Sequence, residues 1–99
     1  MTIKQLQGEL RRDAVARDWL PHHTVGNLLL ALTSEVGELC HLYRWKVPPD
    51  IAEAGAEAAD VAIFLLRFCD VAGIDLDQAI ADKMAENARR QHDGSTLAH

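Results

Sequence analysis

The sequence predicts an all-α fold: a four-helix, bundle-like protomer that associates through its helices into a homo-oligomer. Three observations carry that prediction. Apolar residues recur at three and four positions along most of the chain, the period of a helix with a buried face. Capping residues and prolines divide the pattern into four stretches. Ala and Leu dominate the apolar set, and only five of 99 residues are aromatic, a composition that favours helices over a β sandwich.

Thr2 and Gln5 form a capping box that opens the first helix, whose Ile3, Leu6, Leu10 and Ala14 share the helical period. It is expected to stop near Leu20, before Pro21. The second helix starts around Thr24 and runs to about Lys46, where Val47-Pro48-Pro49 ends it. Asp50 with Glu53 makes another capping box for the third, which runs to Ala72 and ends at Gly73 as a C′ glycine. Asp75 with Gln78 opens the fourth, which fades near Gln91. One domain thus covers 1–91, and the tail, 92–99, has little to bury and is expected to be mobile. Connections are short, so consecutive helices are expected to pack antiparallel.

A domain of 99 residues leaves much of its surface exposed, so a chain that is 48% hydrophobic calls for a partner surface, most simply a second copy. Net charge is −5, which argues against broad binding of duplex nucleic acid but leaves room for a small phosphorylated ligand held by a cation. Cys40 and Cys69 lie in apolar helical contexts without a C-x-x-C motif, and read as reduced, packed thiols. The N-terminus lacks the apolar stretch of a signal peptide, and no apolar run approaches the ~20 residues of a membrane span. A cytoplasmic location with no membrane association is the expectation.

The chemistry concentrates in four acids, Glu35-x-x-Glu38 and Glu57-x-x-Asp60, set in apolar helical sequence. On a helical wheel Leu28, Leu32, Leu39 and Leu42 fall within about 60° of Glu35, so these carboxylates face inward. Val25, Leu29, Val36 and Tyr43 form a second apolar strip about 80 to 120° away, available to a symmetry mate. A single E-x-x-E is ordinarily a solvated face. Two pairs on adjacent helices, each within an apolar stripe, would repel and lose hydration unless a cation offset both effects. Carboxylate oxygens suit Mg²⁺, with Mn²⁺ as the alternative, and leave positions for substrate phosphates. Phosphoryl transfer fits this equipment, with a free carboxylate taking a proton from water.

The segment from Arg17 to Lys46, followed by EAADVAIFLL and KMAENARR, resembles the MazG-like all-α nucleoside triphosphate pyrophosphohydrolases, and among them the short dCTP pyrophosphatase branch. The resemblance spans about Leu10 to Arg90. Its signature is E-x-x-E, a variable stretch, then E-x-x-D, and here eighteen residues separate the pairs. The resemblance implies Mg²⁺-dependent hydrolysis of a (deoxy)nucleoside triphosphate to the monophosphate and pyrophosphate; the surplus apolar surface is what calls for a homodimer or homotetramer. Glu35, Glu38, Glu57 and Asp60 then hold the metal, and Glu38 is the candidate base. Lys83 and Asn87 fall at substrate-contacting positions, and Arg89 and Arg90 either add charge nearby or complement the helix dipole.

Trp19 and Trp45 stand at predicted helix ends, where a flat ring either stacks on a base or closes the core. The resemblance favours the base pocket. Asn27 falls near Glu38 and Trp45 on the wheel, and either faces that pocket or supports the helix start. His22 and His23 read as solvent-exposed loop residues. Three departures from the family put base preference in doubt: Phe64 where many relatives have Tyr, Gln91-His92 in place of a frequent Tyr-Pro, and a shorter stretch between the acid pairs.

Two rivals remain. A ferritin-like di-iron protein needs E-x-x-H on two helices, and only Glu38-Leu-Cys-His41 supplies one. A non-catalytic helical interaction or regulatory dimer would keep the acids as a solvated face.

Overall fold

The computed structural model describes residues 1–45 and 47–92, with side chains through 90. It contains four α-helices and one short 3₁₀ turn: α1 (Ile3–Ala16), the turn Leu20–His22, α2 (Val25–Leu42), α3 (Ile51–Ala72) and α4 (Leu76–His92). No strand occurs among the described residues. No helix among them is long and apolar enough to cross a membrane.

The helix starts follow from local chemistry. Thr2 and Gln5 make the reciprocal capping box at α1. The Thr24 hydroxyl accepts from the Asn27 N–H at 3.1 Å to open α2, and Asp75 accepts from the Gln78 N–H at 3.2 Å at the start of α4. At α3 the expected box with Glu53 is replaced by a simpler cap, in which Asp50 Oδ1 accepts from the Ala52 N–H at 3.3 Å.

Two helices end earlier than the sequence predicts. α1 stops at Ala16 because Asp18 turns into the left-handed region, with φ 57°. There the Asp18 N–H donates to the Val15 carbonyl and the Trp19 N–H to the Ala14 carbonyl, closing the helix by the same pair of bonds that usually surrounds a glycine. Pro21 therefore sits inside the following 3₁₀ turn instead of marking the stop. α2 ends at Leu42, where the Tyr43 N–H tightens onto the Cys40 carbonyl, so Trp45 lies beyond the helix. The expected end at Lys46 lies outside the described residues; of the expected tail, 92–99, His92 closes α4 and the rest lies outside them. Gly73 does end α3, at φ 75°, with the Ile74 N–H on the Cys69 carbonyl.

α2 packs along α3, and α1 packs against α3 as well. Ala14, Leu28, Ala54, Leu66 and Cys69 form the small buried core. Among the described residues α4 makes no comparable pairing, and it is tied down at its first turn, where Lys4 reaches Asp75 at 3.1 Å and Asp77 at 3.7 Å. The four expected helices are present, with α3 packed against both α2 and α1, and α4 is left largely open among the described residues. The radius of gyration, 16.3 Å against about 13 Å for a compact chain of this length, reflects that openness. Both cysteines are free thiols; Cys69 is buried, whereas Cys40 is exposed instead of packed.

Candidate metal centre and adjoining cavity

α2 and α3 carry the acids to a common point. One carboxylate oxygen from each of Glu35, Glu57 and Asp60 lies within 4.8 Å of the others. Glu35 Oε2 and Glu57 Oε2 are shut off from solvent with no hydrogen-bond partner. Two shielded carboxylate oxygens without a donor are disfavoured unless a cation meets them. Burial pushes the Glu57 carboxyl above its ordinary range, and the negative charges of Glu38, Glu35 and Asp60 push it the same way. The residues fit a hard divalent cation, whose charge would reverse these penalties.

Glu38 is exposed and outside this cluster, although its charge is felt at Glu57. The expected four-carboxylate convergence is therefore three carboxylates, with Glu38 beside them. Three residues leave the second acid of each pair about 60° from the first, and that offset keeps Asp60 in the cluster on α3 while Glu38 on α2 falls outside it. His41 is exposed and absent from the cluster, so its E-x-x-H adds no ligand among the described residues.

Asp60 also borders a cavity of about 280 Å³, whose wall includes Trp19, His23, Phe64, Arg67 and Arg17. Asp60, Phe64 and Arg67 share one face of α3, being four and three residues apart. Trp19 enters from the turn that follows α1, with the Arg17 guanidinium 4.9 Å from its ring centre. Arg17 is itself held by Asp13 at 3.1 Å. Metal cluster and cavity thus share a residue.

The other expected site residues are not gathered here. Trp45 is exposed, with the Arg44 guanidinium 4.5 Å from its ring centre. Asn27 is exposed and donates its amide to the His22 carbonyl at 3.0 Å, so it supports the start of α2. Lys83 and Asn87 lie on α4, where Lys83 is 3.6 Å from Glu86.

Sequence reasoning missed His23 and Arg67. His23 is half-buried instead of solvent-exposed, and its Nδ1 accepts from Arg67 Nε at 3.1 Å. Arg67 is only 3% exposed and donates through Nη1 to Asp70 at 2.7 Å. Arg11 of α1 completes the group with two bonds to Asp70. A signal existed: Arg67 interrupts the apolar run AIFLLRFC, and a charge there requires partners.

No family model matches the chain. It is 38% identical over 98 residues to the dCTP pyrophosphatase 1 of Mus musculus, covering 89% of this chain and 56% of that protein. A crystal structure of a pyrophosphatase from Archaeoglobus fulgidus DSM 4304 superposes with a TM-score of 0.79 at 35% identity, covering 88% of this chain and 89% of that one. The chain belongs to the MazG-like all-α nucleoside triphosphate pyrophosphohydrolases. Against the dATP/dGTP diphosphohydrolase of Salmonella phage PMBT28, identity is 43% over 70 residues, covering 71% of this chain and 21% of that protein. This MazG-like chain spans about half the length of the dCTP pyrophosphatases it matches.

Proposed function

We propose that the chain is a Mg²⁺-dependent pyrophosphohydrolase that converts a (deoxy)nucleoside triphosphate, dCTP or a related or modified dNTP, to the monophosphate and pyrophosphate. The convergence of Glu35, Glu57 and Asp60 beside an aromatic-walled cavity carries this reading. The names of its relatives support it, and they point to both pyrimidine and purine substrates.

Glu35, Glu57 and Asp60 would hold the metal, which when bound supplies polarisation of a phosphoryl oxygen and a lowered pKa for water. Glu38, exposed beside the cluster, would take the proton from the attacking water. As the water oxygen bonds to phosphorus, the anhydride between the α and β phosphates breaks. Trp19 offers a face for base stacking once the Arg17 guanidinium shares or yields it. Asn27, Trp45, Lys83 and Asn87 are proposed as further substrate contacts, with Lys83 exchanging Glu86 for a phosphate.

The test is a panel of canonical and modified nucleoside triphosphates with Mg²⁺, scored for pyrophosphate against orthophosphate. Glu35→Gln and Asp60→Asn are expected to lower pyrophosphate release by at least about a hundredfold with helical content unchanged. Orthophosphate as the main product, or variants as active as the parent, would refute the reading.

A further inference from the structure

Arg67 is buried in a way that ion pairing alone does not explain. Its Nη1 meets Asp70, which offsets the charge, but its Nε is directed at a neutral ring 44 residues away in sequence, His23. A guanidinium has five N–H donors and no acceptor, so the bond requires a lone pair on His23 Nδ1. The neutral imidazole must then carry its proton on Nε2. Burial, followed by the charges of Arg67 and His22, holds His23 below the ordinary imidazole range and so favours this neutral form.

His23 and Trp19 both line the cavity, their ring centres 6.1 Å apart at 43°. With Nδ1 engaged, Nε2 lies on the side of the ring away from Arg67, and no protein group among the described residues accepts its proton. His23 and Trp19 share the cavity wall, so the tautomer of His23 bears on what that wall presents beside the aromatic face.

We propose that Arg67 is a positioning residue: its Nε–H on Nδ1 locks His23 as the Nε2–H tautomer, and the cavity in consequence favours bases that present a carbonyl or ring-nitrogen acceptor beside Trp19. This rests on the cavity being the base pocket of the proposed pyrophosphohydrolase. Arg67 acts through His23 and not on the phosphates, so its removal affects recognition of the base and leaves the chemical step intact.

Two measurements on the full chain test it. Nitrogen-15 NMR of the unmodified protein, with His23→Phe used for assignment, is expected to show His23 Nδ1 in the pyridine-like range and Nε2 in the pyrrole-like range. The opposite tautomer, or an averaged pair, overturns the proposal. In kinetics, Arg67→Met is expected to raise KM for dCTP about tenfold, the equivalent of one hydrogen bond of about 1.4 kcal/mol, with kcat within about twofold of the parent. The same variant is expected to lose several-fold less, relative to the parent, on abasic deoxyribose triphosphate than on dCTP. His23→Phe is expected to reproduce the KM effect, and adding Arg67→Met to it costs nothing more. Equal losses with and without a base would mark a structural role and overturn the proposal. Failure of the unmodified protein to release pyrophosphate from any nucleotide would overturn the functional reading and this inference with it, whereas normal turnover with an unaffected Arg67→Met variant overturns this inference alone.

Discussion

Glu57 sits where several forces act in one direction. Burial and three neighbouring carboxylates all disfavour its charged form, and its Oε2 has no donor to compensate. Without a divalent ion this residue opposes folding, so Glu57→Gln is expected to raise the melting temperature of the metal-free protein. With Mg²⁺ the order should reverse. A ligand that binds only the folded state at about 100 times its Kd adds about 2.7 kcal/mol, and the variant, having lost a ligand, gains little of it. Thermal melts with EDTA and with Mg²⁺ measure both effects, and a variant as responsive to Mg²⁺ as the parent would remove Glu57 from the metal site. The sequence made Glu35, Glu57 and Asp60 legible because carboxylates in apolar stripes need a reason to be there. Glu38's divergence was hidden because spacing alone does not say to which side a 60° rotation points. His23 was hidden for a different reason: its partner is 44 residues away and no local pattern announces the pairing.

Between elements, α1 and α3 are clasped by Arg11, Asp70 and Arg67, and the turn before α2 joins through His23. The Arg11 hydrogen bond, followed in smaller measure by the Arg67 guanidinium, holds Asp70 below the usual carboxylate range. Both Asp70 and His23 are therefore depressed in the folded state, which binds fewer protons than the unfolded chain. Stability from each is fully present above its unfolded value and is lost as pH falls through the folded one. The first loss begins below about pH 6.5 for His23 and the second below about 3.9 for Asp70. Glu57 works with the opposite sign in metal-free protein, so the comparison is made with Asp70→Asn. That variant is expected to lose about 2 to 4 kcal/mol at neutral pH, between the values for surface and buried pairs, and to show a flatter acid limb in urea melts. A parent-like acid limb would show that the clasp contributes nothing. Helix starts were readable because Thr2, Thr24, Asp50 and Asp75 each bond within three residues of themselves. The end of α1 was not, since Asp18 in the left-handed region is one of several stops that the residues before Pro21 allow.

At the scale of the whole molecule, the pairing of α2 with α3 follows from the apolar face around Leu28, but an apolar period states only that a face wants cover, not what covers it. The second strip on α2, Val25, Leu29, Val36 and Tyr43, is open to solvent in the protomer, as are Ile80 and Met84 on α4. The accessible surface is 7274 Å², against about 5,600 Å² expected for a folded monomer of 10.9 kDa. The difference, about 1,700 Å², exceeds the roughly 800 Å² that each partner buries in a standard interface. A homodimer or homotetramer using the α2 strip is accordingly expected, with a light-scattering mass at least twice that of the chain. Leu29→Arg with Val36→Arg supplies the decisive contrast. On a free surface each substitution would shift stability by no more than about 0.5 kcal/mol. In a subunit interface the two buried charges should instead give a monomeric mass and a lower melting temperature that no longer rises with protein concentration. A parent that runs at 10.9 kDa, or a double variant that keeps the parent's mass and melting temperature, would leave this strip without a partner copy.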